Sequence, residues 1–330
     1  MKAIVLESAE NPIVYKEVDK PVPGPGEVLV KIKAAALNRR DYWITQGKYA
    51  GIKYPTILGA DGAGIVAEAG DANSDWLNKE VIINPSHNWG EHDEYQGKDF
   101  KILGLPEDGT LAEYVLTKAE YLYPKPAHLT FEQAAALPLA GLTAYRALFT
   151  KAKAQKDSKV LIVGVGAGTG TFLLQFAVAA GCQVFVTSGS GEKLEQAKQL
   201  GAAAGVNYKA QDWADELKHL AGGFDVVIDS ALGPDFSKIP NLCNPGARIA
   251  FFGATAGNIP EIDARMIFWK QLQILGTTMG TQAEFAAMVD FVTQHQIVPV
   301  IDEVFPLANA KEAFQKMGAA KQFGKLVISI

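Results

Sequence analysis

The stretch Leu161-Ile162-Val163-Gly164-Val165-Gly166-Ala167-Gly168-Thr169-Gly170 joins an apolar run to a segment with helical periodicity. Glycines leave the backbone N–H groups of such a loop accessible, and the N-terminus of the following helix adds a positive partial charge. These features bind the phosphates of a dinucleotide when a second strand follows the helix, and residues 183–187 are predicted to form that strand. We therefore predict a cofactor site at this loop, lined by Gly166, Ala167, Gly168, Thr169 and Gly170.

Strands and helices alternate from this loop towards the C-terminus. The pattern predicts strands at 160–163, 183–187, 205–207, 225–229, 247–252 and 271–277. Helices are predicted at 169–180, 192–200 and 213–220, and two more precede the loop at 131–137 and 142–150. Strands that alternate with helices favour a doubly wound parallel sheet in an α/β fold.

The chain before Pro124 has a different pattern. Short alternating runs at 2–6, 27–36, 63–67 and 80–83 are separated by Pro, Gly, Asn and Asp, which predicts the strands of a small barrel. The tail has predicted helices at 283–293 and 308–317 and extended segments at 298–304 and 325–330, and we expect it to fold back onto the barrel. Two domains suit a chain of 330 residues.

The bulk composition excludes several classes of protein. The formal net charge of −5 provides no basic field for nucleic acid. No signal-peptide core and no apolar run long enough to span a bilayer is present, so no membrane partner is expected. The only cysteines, Cys182 and Cys243, have no metal or redox spacing. We expect a cytoplasmic protein with two free thiols.

The end of the predicted strand at 183–187 indicates which nicotinamide cofactor binds. An NAD site usually places a carboxylate there, about twenty residues after the loop, to accept hydrogen bonds from the ribose hydroxyls. Here Ser188, Gly189 and Ser190 follow the strand, with Lys193 close behind. No carboxylate at the strand tip repels a 2′-phosphate, and the two hydroxyls and the ammonium can receive it. The sequence therefore favours NADPH.

The segment Leu58-Gly59-Ala60-Asp61-Gly62-Ala63-Gly64-Ile65-Val66 resembles the glycine-rich signature of the medium-chain dehydrogenase/reductase superfamily. In that signature a His-Glu pair follows the first glycine, and the His binds catalytic zinc; here the pair is Ala60-Asp61. By the same resemblance, Asn38 and Leu139 stand where the family has cysteine ligands, and Arg40 replaces a hydroxyl that relays an alcohol proton. An amide, a methyl and an isobutyl group cannot form a tetrahedral zinc site, so no metal is expected.

The chain is therefore identified as similar to the zinc-independent quinone oxidoreductase-like branch of that superfamily. The resemblance implies a GroES-like β-barrel domain from 1–125 and 280–330 and a Rossmann domain from 126–279. It also implies NADPH-dependent reduction of a quinone or an α,β-unsaturated carbonyl as small-molecule electron acceptor. In the resembling family a homodimer forms by pairing the last strand of the sheet, here 271–277, across a two-fold axis.

The resemblance also suggests roles for single residues. Lys193 and Tyr208 match residues that line the 2′-phosphate, and Thr143 matches a threonine at the nicotinamide end. Phe252, Gly253 and Ala254 end a strand at the carboxyl edge of the sheet, where such sheets bind ligands.

Three further residues are candidates for the chemical step. The amide of Asn38 can stabilise enolate charge on a substrate carbonyl or can hold its own loop together. Tyr42 and Tyr49, in a predicted loop at 40–54, can donate a proton or can serve packing, and solvent is the other proton source.

The sequence also contains one polar cluster and leaves two rival functions open. His87, Glu91, His92, Asp93 and Glu94 fall where the family's structural zinc lobe lies, and we interpret them as a polar surface loop. The rival functions are a non-catalytic NADPH sensor or crystallin-like binding protein and a zinc-dependent alcohol dehydrogenase, which the missing ligands disfavour.

Overall fold

The computed structural model describes residues 1–70 and 73–330. The chain divides into two compact units, one of residues 1–142 with 280–330 and the other of residues 143–279. The predicted domain boundary at 125/126 lies earlier than the division at 142/143. The difference arises because the helix Phe131–Ala136 packs on the strands Glu27–Ala36, Asp61–Ala69 and Lys325–Ser329 of the first unit.

The first unit contains most of the short strands and has a barrel-like sheet. Its strands are β1 (Lys2–Leu6), β2 (Val14–Glu17), β3 (Glu27–Ala36), β4 (Thr56–Ile57), β5 (Asp61–Ala69), β6 (Glu80–Ile83), β7 (Ser86–His87), β8 (Lys101–Ile102), β9 (Tyr114–Lys118), β10 (Leu122–Pro124), β17 (Ile301–Pro306) and β18 (Lys325–Ser329). Its helices are α1 (Arg39–Thr45), α2 (Phe131–Ala136), most of α3 (Pro138–Tyr145), α9 (Gln282–Gln294) and α10 (Ala310–Gly318), with short 3₁₀ turns at Ser74–Trp76, Ala119–Tyr121 and Leu307–Asn309.

The main sheet of this unit runs in the order β10-β6-β5-β3-β18-β17, and β9 also pairs with β3. The C-terminal strand β18 is antiparallel to β3, with Val327 opposite Ala36, so the tail folds back onto the barrel as predicted. The core is closed by apolar residues on these strands and on α10, among them Val30, Leu326 and Phe314. Their burial removes apolar surface from water and stabilises the unit.

The second unit is built around one parallel sheet. Its elements are β11 (Lys159–Val163), α4 (Gly168–Ala179), β12 (Gln183–Ser188), α5 (Gly191–Gln199), β13 (Ala204–Asn207), α6 (Trp213–Ala221), β14 (Phe224–Asp229), α7 (Ile239–Leu242), β15 (Cys243–Phe251), α8 (Ala264–Trp269) and β16 (Gln273–Gly276), preceded by a π-helix at Arg146–Lys151 and with a 3₁₀ turn at Pro234–Lys238. The strand order is β13-β12-β11-β14-β15-β16. All neighbours are parallel, which confirms the doubly wound sheet.

This strand order reverses between β11 and β14. Open α/β sheets bind their ligands at the carboxyl ends of the strands beside such a reversal. The unit therefore presents the loop after β11 at the position where a dinucleotide binds. Among the residues that the structure describes, no helix is long and apolar enough to cross a membrane.

Candidate cofactor site and polar cluster

The loop between β11 and α4 keeps its backbone open through glycine. Gly164 and Gly166 have φ of 80° and 135°, in the region that residues with a side chain disfavour. A Cβ at Gly170 would lie 3.3 Å from the carbonyl oxygen of Gly164, so α4 packs closely on its own loop. The helix begins at Gly168, and its N-cap Ala167 provides no side-chain cap. The first N–H groups of α4, that of Thr169 among them, therefore suit a diphosphate.

Two hydrogen bonds fasten this loop to the neighbouring strand. The Val165 N–H donates to the Thr187 carbonyl at 2.8 Å, and the Gly164 N–H donates to the Thr187 hydroxyl at 3.0 Å. The loop is thereby positioned beside the end of β12. A fixed loop pays less ordering entropy when a ligand binds.

The tip of β12 carries hydroxyls and a glycine, as the sequence indicates. Ser188 is buried, and its hydroxyl oxygen accepts from the Ser190 N–H at 3.3 Å. Ser190 is the N-cap of α5 and accepts from the Lys193 N–H at 3.5 Å. Glu192, the only acid in the first turn of α5, is exposed. The strand tip itself presents no carboxylate to a ribose 2′-phosphate.

Lys193 and Tyr208, which the sequence assigns to this site, lie close to Gly166 and Gly189 respectively. A Cβ built at Gly166 would lie 2.9 Å from Lys193 Cδ and 3.6 Å from its Nζ. A Cβ built at Gly189 would lie 2.8 Å from Tyr208 Oη. The structure thus brings Lys193 and Tyr208 to the same loops as Ser188 and Ser190.

Lys209 is a neighbour that the sequence analysis did not identify. Its Cε would lie 2.9 Å from a Cβ at Gly189, and its own N–H donates to Asn207 Oδ1 at 3.0 Å. The available signal was its position directly after Tyr208, at the carboxyl end of the strand paired with β12.

The carboxyl edge of the sheet beyond β14 is also closely packed. Phe252, Gly253 and Ala254 follow β15 directly, and a Cβ at Gly253 would lie 2.9 Å from the Ser230 carbonyl oxygen. Asp229, the last residue of β14, accepts backbone N–H groups from two and three residues further on, at 2.7 and 3.0 Å. Burial raises the pKa of Asp229, and these two hydrogen bonds oppose the shift.

Thr143 has only 6% of its surface exposed. Its hydroxyl lies 4.0 Å from the Met279 sulfur, to which it donates. The backbone of Met279 has φ of 35°. The predicted contact of Thr143 with the nicotinamide stays a prediction.

A buried polar cluster in the first unit includes Asn38, which by the resemblance stands at one of the family's zinc-ligand positions. Asp61 and Lys325 form a buried ion pair, with Nζ 2.8 Å from Oδ2 and side-chain exposures of 0% and 3%. The same Oδ2 accepts from Asn38 Nδ2 at 2.9 Å, and Lys325 donates to Asn38 Oδ1 at 2.7 Å. Asp61 Oδ1 accepts the Leu139 N–H at 2.8 Å. We name Asn38, Asp61 and Lys325 the amide–ammonium cluster.

This arrangement bears on the two roles that the sequence leaves open for Asn38. The side-chain oxygen and nitrogen of the amide are both hydrogen-bonded inside the cluster. Asn38 is 6% exposed. The geometry therefore supports the role of holding the loop together. The sequence alone assigned neither Asp61 nor Lys325 to a site. The available signal was Lys325 itself, a lysine within an otherwise apolar strand.

The segment after Asn38 is a helix, so the prediction of a loop at 40–54 is wrong for residues 40–45. Asn38 is the N-cap of α1, and the Asp41 carboxylate accepts the Asn38 N–H at 2.8 Å, as in a capping box. Asp41 Oδ1 is buried without a hydrogen-bond partner in the described part of the chain, and Arg40 Nη1 lies 3.7 Å away. Burial raises the pKa of Asp41 to about 6, against the opposing charge of Arg40.

The two candidate tyrosines have different surroundings. Tyr42 lies within α1 and packs against α10, where a Cβ at Gly318 would lie 2.7 Å from its ring. Tyr49 follows the helix, and its hydroxyl oxygen accepts from Arg40 Nε at 3.5 Å. The Arg40 guanidinium also lies 5.2 Å from the Tyr49 ring centroid. Packing accounts for Tyr42, whereas Tyr49 has a polar neighbour at its hydroxyl.

His87 does not belong to a surface loop, and that interpretation of residues 87–94 is wrong at its first residue. His87 lies in β7, pairs with β8 and is 5% exposed. Its ring stacks on Tyr121 with centroids 3.9 Å apart. Burial lowers the pKa of His87 to about 4, against the charge of Glu107, so the imidazole is neutral at pH 7. Residues 91–94 are exposed, and no metal-binding group of three or more His, Cys, Asp or Glu occurs among the described residues.

Two sequence models of dehydrogenase domains match different parts of this chain. The sequence model of the alcohol dehydrogenase GroES-like domain matches residues 24–127, and that of the zinc-binding dehydrogenases matches residues 168–294. The two matches fall on the barrel strands and on the parallel sheet.

Individual relatives extend over the whole chain. A zinc-type alcohol dehydrogenase-like protein of Leptosphaeria maculans is 36% identical over 340 residues, covering 97% of this chain and 95% of the relative. A quinone oxidoreductase of Mus musculus is 29% identical, covering 99% and 97%. The crystal structure of an NAD-dependent alcohol dehydrogenase superposes with a TM-score of 0.92 at 34% identity and covers 100% of both chains.

Proposed function

Because this chain belongs to the medium-chain dehydrogenase/reductase superfamily, we propose that it is a zinc-independent reductase. It transfers a hydride from NADPH to a quinone or an α,β-unsaturated carbonyl. The observation that supports this most is the amide–ammonium cluster of Asn38, Asp61 and Lys325, which takes up Asn38, one of the positions where the family has a zinc ligand.

The cluster supports chemistry without a Lewis acid. Tetrahedral zinc needs thiolate, imidazole or carboxylate donors. Around Asp61, the only carboxylate of the cluster, the other groups are an amide and an ammonium. The ammonium already neutralises Asp61, and Ala60 beside it offers only a methyl group. A divalent cation beside Asp61 would also lie next to the buried Lys325 ammonium, whose like charge repels it.

The residues of the second unit favour NADPH, whereas one similar structure is that of an NAD-dependent alcohol dehydrogenase. The tip of β12 has no carboxylate for ribose hydroxyls, and Lys193 and Tyr208 lie beside it. The positive φ of Gly164 and Gly166 and the close packing of Gly170 on its own loop fit the close approach of a diphosphate. When bound, NADPH supplies the hydride.

The reduction also needs a proton on the carbon next to the carbonyl, or on the second quinone oxygen. We propose Tyr49 as the donor, because Arg40 donates to its hydroxyl oxygen and orients the phenol. Tyr42 is packed on α10 and is the poorer candidate. If solvent supplies the proton instead, Tyr49→Phe leaves the turnover number unchanged. Both cysteines are free, as suits the reducing cytoplasm that we propose as the compartment.

A panel of acceptors tests this function. NADPH oxidation is followed at the nicotinamide absorbance band with enones, quinones, simple ketones and simple aldehydes, using protein never exposed to a metal column. Turnover is expected with enones or quinones and not with simple ketones. The control is Gly170→Val, whose side chain meets the β11–α4 loop and should abolish cofactor binding and turnover together.

A second function deserves the same experiment. The engagement of both ends of the Asn38 amide removes one obvious donor to a substrate carbonyl, and this favours a non-catalytic NADPH-binding sensor. NADPH binding with no turnover on any acceptor would establish that alternative.

A further inference from the structure

We infer that Lys209 is a specificity-determining residue that receives the 2′-phosphate of NADPH together with Lys193. This inference rests on the proposed use of NADPH. It adds a second cation to a subsite for which the sequence indicates only one.

The strand pairing explains why Lys209 reaches this subsite. β12 and β13 are parallel, with Ser188 opposite Asn207, so the residues that follow each strand emerge side by side. The Tyr208 N–H donates to the Ser188 carbonyl at 3.2 Å, which continues the pairing past the strand ends. Lys209 comes next and is thereby placed beside the loop at Ser188–Ser190.

The side chain of Lys209 turns back over that loop. Its Cε lies 2.9 Å from the position of a Cβ at Gly189, one bond short of the ammonium. Tyr208 Oη lies 2.8 Å from the same position. Gly189 therefore leaves room for the Tyr208 phenol and for the end of the Lys209 side chain. Within the described part of the chain, Lys209 has no carboxylate within ion-pair distance.

Charge explains why one lysine is insufficient. A phosphate monoester carries about −1.5 to −2 charges at pH 7. Lys193 supplies one positive charge, and its Nζ lies 3.6 Å from the position of a Cβ at Gly166. A second cation beside the tip of β12 balances the remaining charge, and Lys209 provides it next to Gly189.

The test compares ligands that differ only by the 2′-phosphate. Calorimetry measures the binding of NADPH, NADH, 2′,5′-ADP and 5′-AMP to the wild type, Lys209→Gln and Lys209→Arg. The matched control is Lys218→Gln, which removes the same charge from an exposed position on α6. We expect Lys209→Gln to weaken NADPH and 2′,5′-ADP about tenfold, the effect of one charge-assisted contact. Binding of NADH and 5′-AMP should be unchanged, and Lys209→Arg should restore the affinity.

The outcomes separate this inference from the proposed function. If the wild type prefers NADPH but Lys209→Gln binds it as tightly as Lys218→Gln does, the inference is wrong and the proposed cofactor stands. If Lys209→Gln weakens NADH equally, Lys209 does not discriminate, and the inference is again wrong. If the wild type binds NADPH and NADH alike, the proposed cofactor preference fails and the inference falls with it.

Discussion

Removing the ammonium of the amide–ammonium cluster should strongly destabilise the first unit. In Lys325→Met the apolar stem is kept, but Asp61 stays buried with its main counter-charge gone. Two hydrogen bonds, to Asp61 and to Asn38, are lost with it. Loss of one partner from a buried ion pair costs about 3–5 kcal/mol. We therefore expect the free energy of unfolding to fall by on the order of 4 kcal/mol.

A double variant tests whether the cost comes from the isolated charge. Asp61→Asn alone leaves Lys325 buried and unpaired, and it should cost a similar amount. In Lys325→Met combined with Asp61→Asn neither charge remains, so the total should be well below the sum of the single costs. The difference is the coupling free energy of the pair.

Urea unfolding at pH 7, followed by tryptophan fluorescence and circular dichroism, measures these values. The control is Lys2→Met, which breaks the exposed Lys2–Glu17 pair of similar length, 3.0 Å. An exposed pair contributes little to stability, because water screens its charges. The reasoning is refuted if Lys325→Met costs no more than Lys2→Met, or if the costs of the two cluster variants simply add.

Three further predictions concern the cofactor, pH and assembly. Lys193→Ala should narrow the preference for NADPH over NADH by about ten- to a hundredfold, and fluorescence titration with both cofactors measures it; an unchanged ratio would contradict the assignment. The pKa of Asp41 in the folded protein is about 6, above its ordinary 3.8. The protonated carboxyl therefore makes its full contribution to stability below pH 3.8, and this contribution is lost as the pH rises through 6. The free energy of unfolding of the wild type, measured relative to that of Asp41→Asn, should therefore fall by about 3 kcal/mol between pH 3.5 and 7.5. Urea unfolding midpoints of the two proteins that change equally with pH would contradict this prediction. β16 is the edge strand of the parallel sheet, and we propose that it pairs with a second copy of the chain. Ile274→Lys should then give a monomer in light scattering and keep its affinity for the cofactor. A wild-type protein that is itself monomeric would refute this proposal.

The parallel sheet was predictable because its information is local. Strands β11, β12 and β14 contain short apolar runs, and each is followed by a helix or a turn within a few residues. Gly164 and Gly166 after β11 have positive φ, a conformation that favours glycine, so the glycines in the sequence already indicate the loop. Our prediction of cofactor contacts at Ser188 and Lys193 follows from the same local pattern. Lys209 did not, because its approach to Gly189 depends on the pairing of β12 with β13.

The polar cluster depended on contacts between distant parts of the chain. Lys325 meets Asp61 across 264 positions in sequence, and a lysine in an apolar strand gives no sign of its partner. His87 is buried because β7 pairs with β8, which no local feature indicates. The helix α1 was missed because it has only seven residues, too few for a clear periodicity, although Asn38 and Asp41 have the spacing of a capping box.

The product formed from a single enone tests the central claim most directly. An α,β-unsaturated ketone is incubated with NADPH and protein that has been dialysed against a chelator, and the product is identified by mass spectrometry and NMR. Reduction without a Lewis acid predicts the saturated ketone, at the same rate before and after chelation. Formation of the allylic alcohol, or a rate that disappears on chelation and returns with zinc, would contradict the account.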